Sequence, residues 1–250
     1  IRDRILKPDI GAVGKGVLKL KGECDVKRAA GTMAADHLLQ VFVDGTHEYG
    51  VFYARHAGTG RVTGINRKHY PSVVGNGQER IADLARKHYR YTPHWGIFLR
   101  YIDLDRIPDE GEEVVLSFIG SHTMGCKFTD DSHLATPALE AALDALCASQ
   151  PGFNFGRLDV KSTSEAAFRE GEFKVIEVNG IASLPTHMFD PGNSVTDAYR
   201  TFLDHGRQLV RIANEHRHRP MTLKPYSDIW RTAKENHAAL NAIHEQAKAR

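Results

Sequence analysis

No apolar run in this sequence approaches the roughly 18 residues that a membrane-spanning helix needs, so no membrane span is expected. Cysteine is scarce. Cys24, Cys126 and Cys147 are an odd number and lack metal-type spacing, which favours free thiols in a reducing compartment, the cytoplasm, over a disulfide framework. Charge of one sign is lacking too: 33 Lys+Arg against 31 Asp+Glu leave a formal net charge of +2, so nothing in the overall charge argues for a nucleic-acid partner. Fixed-period repeats and low-complexity tracts are absent. Several catalytic signatures are missing as well. There is no H-E-x-x-H pair for zinc, no G-x-S-x-G elbow for a serine nucleophile and no G-x-G-x-x-G dinucleotide fingerprint. A phosphate-binding P-loop is excluded because Asp9 stands where its first glycine belongs, and Gly16 follows Gly14-Lys15 where Ser or Thr is required.

What remains is 250 residues of ordinary globular composition, 41% apolar and 26% charged. A chain of that size buries roughly 70–75% of its unfolded surface, enough for one large domain or two small lobes. It opens Ile1-Arg2-Asp3-Arg4, without Met, and runs at once into a strand-like segment, so an excised or processed product or a piece of a longer protein is expected.

The first strand, Arg4–Lys7, leads past Pro8 into a glycine-rich loop at 9–16 and a second strand at 17–20. Alanine and charge at helical spacing predict a helix over 25–39, weakened by Gly31. The apolar run 38–43 predicts a buried strand, and strands are expected at 47–55 and 61–70. The pattern then turns mixed. A helix is expected over 78–90, a strand over 113–119 and a helix starting at Thr136-Pro137, with Thr136 as cap and Leu139, Leu143, Leu146 and Cys147 as its apolar face. Strands at 153–161 and 172–178 flank a short helix at 164–169. A long amphipathic helix covers 195–213, and a His-rich, basic helical tail follows Pro220. Tyr89, Tyr91, Trp95 and Phe98 read as packing residues.

Two groups of residues carry chemistry. The glycine loop can close on phosphate through its backbone N–H groups, with Lys7 just before it. Strand alternation then places Arg157 with Asp159, and Glu177 with Asn179, on common faces. Pairing those strands gives one sheet face an arginine, two carboxylates and an amide. Oxygen donors of this kind suit Mg²⁺ together with substrate phosphates. Val175, Ile176 and Val178 give the acids core-like surroundings, where a carboxylate needs a cation or metal beside it. His122, His133 and His187 fall in loops near this face, where a histidine is more often structural than catalytic.

Taken in order, Ile5-Leu6-Lys7-Pro8 with its glycine loop, Leu39–Val43 followed by Asp44-Gly45-Thr46-His47-Glu48-Tyr49-Gly50-Val51, Gly156-Arg157-Leu158-Asp159 and Val175-Ile176-Glu177-Val178-Asn179 resemble the ATP-grasp carboxylate–amine ligases, D-alanine–D-alanine ligase-like members in particular. The resemblance spans Ile5 to Phe189. It implies an α+β, ATP-grasp fold of two α+β lobes with the nucleotide site between them. A partial small lobe would cover 1–44, a large lobe with the metal site 45–220, and a helical tail 221–250. It implies ATP and Mg²⁺ as cofactors, and small-molecule carboxylate and amine substrates joined through an acylphosphate. Lys7 would touch the α/β-phosphates, and Gly11, Gly14, Lys15 and Gly16 would belong to the loop over the triphosphate. Gln40, Val41 and Val43 would form the adenine hinge, Gln40 standing where an acidic residue is common. Glu48 would accept the ribose hydroxyls, Lys68 would face the γ-phosphate, Asp159, Glu177 and Asn179 would hold magnesium, and Arg157 would stabilise charge at the acyl centre. Fuller members carry a further N-terminal domain that is missing ahead of Lys7, and members are often dimers. A nucleotide-binding scaffold without catalysis is the alternative, and an adaptor using the basic tail from His205 on is a third reading.

Overall fold

The computed structural model describes residues 3–9, 14, 16–31, 33, 35–98, 102–122, 125–220 and 224–248. The fold is α+β and divides into two compact units, one made of residues 1–43 and 219–250 and the other of residues 44–218.

In the first unit, β1 (Arg4–Pro8) runs antiparallel between β2 (Leu18–Leu20) and β3 (His37–Val41). Leu6 and Leu20 pack with Ala29 of α1 (Gly22–Ala30) as a small core. The predicted helix stops at Gly31 instead of running to 39, as the glycine's low helix propensity favours. The strand expected to be buried at 38–43 is an edge strand, and Leu38 and Leu39 are each half exposed. Its apolar run reads the same as a core strand, because sequence does not show which neighbour is missing.

The second unit is built on a five-stranded antiparallel sheet in the order β10-β9-β4-β5-β8. Its strands are β4 (His47–His56), β5 (Thr59–His69), β8 (Lys127–Asp130), β9 (Phe155–Ser162) and β10 (Lys174–Asn179). A separate two-stranded antiparallel sheet pairs β6 (Ser72–Val74) with β7 (Glu113–Val115), so the strand expected over 113–119 ends early. Beside it pack α2 (Ile81–Arg86) and α3 (Trp95–Phe98), with Tyr91, Trp95 and Phe98 in that cluster.

Alternation gives the large sheet two unlike faces. Tyr49, Val51 and Tyr53 of β4, Ile65 of β5 and Leu158 and Val160 of β9 meet Leu139, Leu143 and Cys147 of α4 (Pro137–Ala148) and Phe168 of α5 (Glu165–Arg169). Tyr49 stacks on Phe168 at 4.0 Å between ring centres. Thr136 caps α4 by accepting from the Leu139 N–H at 3.1 Å, as its sequence position predicts. Leu146, expected on the apolar face, is 40% exposed. On the opposite face, α6 (Val195–His216) covers Ala54 and Phe155 with Leu209 and Ile212. The other end of that face is polar. In the first unit, α7 (Tyr226–Lys248) contributes a buried Ile243.

Candidate functional site

The polar end of the sheet is set by register. Glu48 lies opposite Lys68 on one side and Lys161 on the other, and Gly50 lies opposite Asn66 and Asp159. These residues therefore share one face of three adjacent strands. Glu48, Lys68, Asp159 and Lys161 are all buried, with Asp159 only 3% exposed. Lys68 Nζ donates to Glu48 Oε1 at 2.7 Å and to Asp159 Oδ2 at 2.9 Å. Arg157 Nε donates to Asp159 Oδ1 at 2.8 Å, and its Nη2 reaches Oδ2 at 3.2 Å. The Tyr70 hydroxyl donates to Glu48 Oε2, and Lys161 Nζ stands 4.0 Å from the same oxygen.

Buried charges persist only when paired, and each group's protonation reflects this. Burial alone would favour a neutral Lys68, but Glu48 and Asp159 hold its ammonium above the usual lysine range. Burial likewise opposes the Asp159 anion, and Lys68 and Arg157 prevail and hold its carboxyl below the usual range. Burial and the Glu48 charge push the Tyr70 hydroxyl far up, and Cys126 nearby rises to about 12 by burial. Three cations, Lys68, Lys161 and Arg157, thus share one face with the carboxylates of Glu48 and Asp159 and, in register on β10, that of Glu177.

Two glycines let this cluster close. A Cβ at Gly120 would fall 2.3 Å from Glu48 Oε1 and 3.0 Å from Lys68 Cδ, so the backbone at 120 lies directly over that ion pair. A Cβ at Gly50 would fall 2.3 Å from Asn66 Oδ1 and 3.1 Å from Arg157 Cδ, so Gly50 makes the notch that both side chains occupy. Asn66, Tyr70, Lys161, Gly50 and Gly120 were not singled out from sequence. The alternation Glu48-x-Gly50 against Asn66-x-Lys68 was the available signal, but it needs the β4–β5 register to be read.

The edge strand β10 carries the rest. Glu177 pairs in register with Asp159, and Asn179 with Arg157, across a bulge between Val175 and Glu177. The Asn179 amide, oriented to suit its neighbours, donates to Glu177 Oε1 at 3.1 Å and accepts from Arg157 Nη2 at 3.1 Å. The core-like surroundings expected of Glu177 are not found: Glu177 is exposed and Val178 is 56% exposed, because among the described residues no strand lies beyond β10. Among the described residues no three His, Cys, Asp or Glu side chains gather as around a metal ion. The oxygen set here is two acids and one amide in register. That number of carboxylates fits Mg²⁺, which fills its remaining positions with water and phosphate.

In the first unit, Lys7 and Gln40 share a sheet face, since Lys7 pairs with Leu38 and Ile5 with Gln40. Val41 pairs with Arg4 on the opposite face, and Val43 follows β3. Gly14 and Gly16 have φ of 74° and 75°, a conformation natural to glycine. Gly11 and Lys15 lie outside the described residues.

No family model matches the chain, and no curated protein matches it. Its structure is similar to that of a bifunctional glutathione synthetase from Pasteurella multocida, with a TM-score of 0.41, 15% identity, and 83% of this chain covering 32% of that one. It is similar to D-alanine–D-alanine ligase from Bacillus anthracis, with a TM-score of 0.43, 12% identity, and 85% covering 56%. It is also similar to D-alanine–D-alanine ligase from Helicobacter pylori, with a TM-score of 0.39, 15% identity, and 83% covering 49%. The chain spans between about a third and just over half of these chains. Among the described residues no helix is long and apolar enough to cross a membrane.

Proposed function

We propose that the chain is the nucleotide-binding part of an ATP-dependent ligase of the ATP-grasp type, which joins a carboxylate to an amine through an acylphosphate. The observation that carries this reading is the ion cluster of Lys68, Lys161 and Arg157 with Glu48 and Asp159 on one sheet face, bordered in register by Glu177 and Asn179. The ordered motifs along the chain support it.

In the reaction, a carboxylate oxygen attacks the γ-phosphorus and the bond to ADP breaks, leaving an acylphosphate. The amine then attacks the acyl carbon, phosphate leaves, and the nitrogen loses a proton to water. Such chemistry asks the protein mainly for position and charge balance. Lys68 and Lys161 would offset phosphate oxygens, and their burial makes each charge count for more than it would in water. Arg157, already braced by Asp159, would face the negative charge that develops as the amine attacks. Asp159, Glu177 and Asn179 would hold Mg²⁺, which supplies neutralisation of the triphosphate when bound. For the first unit, taken by itself, the resemblance assigns Lys7 to phosphate and Gln40, Val41 and Val43 to adenine. Glu48 is committed to Lys68 and Tyr70, so contact with a ribose would require it to exchange one of these partners.

The test is ADP release from Mg·ATP with a panel of carboxylates and amines, on this chain and on any longer natural polypeptide that contains it. The expected result is ADP formation that needs both substrates. If no pair raises ADP above background in either protein, the ligase reading fails. Nucleotide binding without turnover is what the scaffold alternative predicts.

A further inference from the structure

The segment 180–194, which follows directly on β10, is held to the sheet by two histidines that the chemistry above does not use. His187 lies in the 3-10 turn Thr186–Phe189 and His205 in α6, and they are 6% and 9% exposed. Gly64 on β5 makes the room for the first of them: a Cβ there would lie 2.2 Å from His187 Cε1. Both rings pack on Phe52 of β4, at 5.2 and 5.8 Å between centres, and His205 also packs on Phe155 at 4.7 Å. His205 Nε2 donates to the Ser183 carbonyl at 2.9 Å, because a carbonyl only accepts. Thr186 donates to Asn66 Oδ1 at 2.8 Å, and Asn193 Nδ2 to the His187 carbonyl at 3.2 Å.

We infer that His187 and His205 form a proton-operated latch, which holds the segment after the site strand while both imidazoles are neutral and releases it when His187 takes a proton. Nδ1 of His187 is buried with no hydrogen-bond partner among the described residues. A protonated ring has N–H groups at both nitrogens, so protonation would leave a charge and an unanswered donor in the packed interior. The groups around the pair are mixed. From β8, Asp130 favours the charged form of His187, and His205 from α6 opposes it. Arg157 from β9 lies over Phe52 at 5.9 Å, and Asp190 of the segment accepts from the Asp130 N–H at 2.7 Å. On α6, Asp204 and Arg207 pair with each other and are exposed. Burial is the largest influence on both rings and holds each below the ordinary value of 6.5, although the bond to Ser183 opposes it at His205.

The sign follows from these depressed values. The packed segment is favoured above pH 6.5 and loses stability as pH falls below it, because the open form takes up the proton first. One linked proton raises the opening constant by up to about tenfold per pH unit.

The measurement is amide hydrogen exchange of residues 180–194 between pH 7.5 and 5.5, corrected for the intrinsic pH dependence, on wild type, His187→Phe and His205→Gln. The expected result is opening of this segment about tenfold or more faster at the lower pH in wild type, and a smaller step in His187→Phe, which keeps the His205 contribution and whose ring keeps the packing on Phe52. His205→Gln, which keeps a donor for Ser183, retains the pH step through His187. An unchanged wild-type profile, or an equal step in His187→Phe, overturns the latch. If His187→Phe does not fold, the NMR titration of the two imidazoles in wild type decides. Titration of both below 6.5 supports the latch, and titration of His187 at or above 6.5 overturns it.

Discussion

Replacing Lys68 by Met destabilises the protein by about 3–5 kcal/mol, the range for breaking a buried ion pair from one side. Met matches the stem of lysine in length and apolarity, so packing changes little and the loss is electrostatic. It leaves Glu48 and Asp159 behind, each 4% exposed at the side chain, with the backbone at Gly120 closing over Glu48. Asp159 keeps Arg157, and among the described residues Glu48 keeps the Tyr70 hydroxyl and Lys161 at 4.0 Å. Neutralising Glu48 as well, in Lys68→Met/Glu48→Gln, restores part of the stability, because the Glu48 carboxylate is then no longer left without its lysine. Urea unfolding of the single and double variants checks this. A loss below about 1 kcal/mol in the single variant would mean that the pair is as weak as a surface one.

Replacing Glu177 by Gln does the opposite. Its side chain is exposed on the outermost strand, so the urea midpoint stays where it was. Yet the substitution removes one of the two carboxylates, Asp159 and Glu177, that pair in register at the edge of the ion cluster. If that edge holds Mg²⁺, the affinity for Mg·ATP falls by about 10–100-fold, while affinity for ATP in the presence of EDTA is unchanged. Calorimetric titration of nucleotide with and without Mg²⁺ separates the two. Equal Mg·ATP affinity in Glu177→Gln and wild type would remove the metal assignment and leave Glu177 as a surface charge.

Much of this site was legible because strands have a period of two. The spacing of Arg157 with Asp159 and of Glu177 with Asn179 predicts their shared faces, and the β9–β10 register joins them. The β4–β5 hairpin and the cap at Thr136 follow from local signals in the same way. Position in the sheet was not legible. Leu38, Leu39 and Val178 read as core residues because apolar runs look alike in edge and central strands, and only topology shows that β3 and β10 have one neighbour each among the described residues. The strand at 127–130 went unread because four residues carry almost no periodicity. Lys161 and Tyr70 were missed for another reason. Each is unremarkable in sequence, and it becomes part of the site only through Glu48, which lies far from both along the chain but in contact with them in the fold.

The most direct test is hydrogen exchange of the whole chain with and without Mg·ATP. Binding at the polar sheet face predicts slower exchange in the segments that carry Glu48, Lys68, Arg157, Asp159 and Glu177, along β4, β5, β9 and β10. It predicts no such change in Lys68→Met/Asp159→Asn. Slower exchange confined to other segments, or none at saturating Mg·ATP, would contradict it.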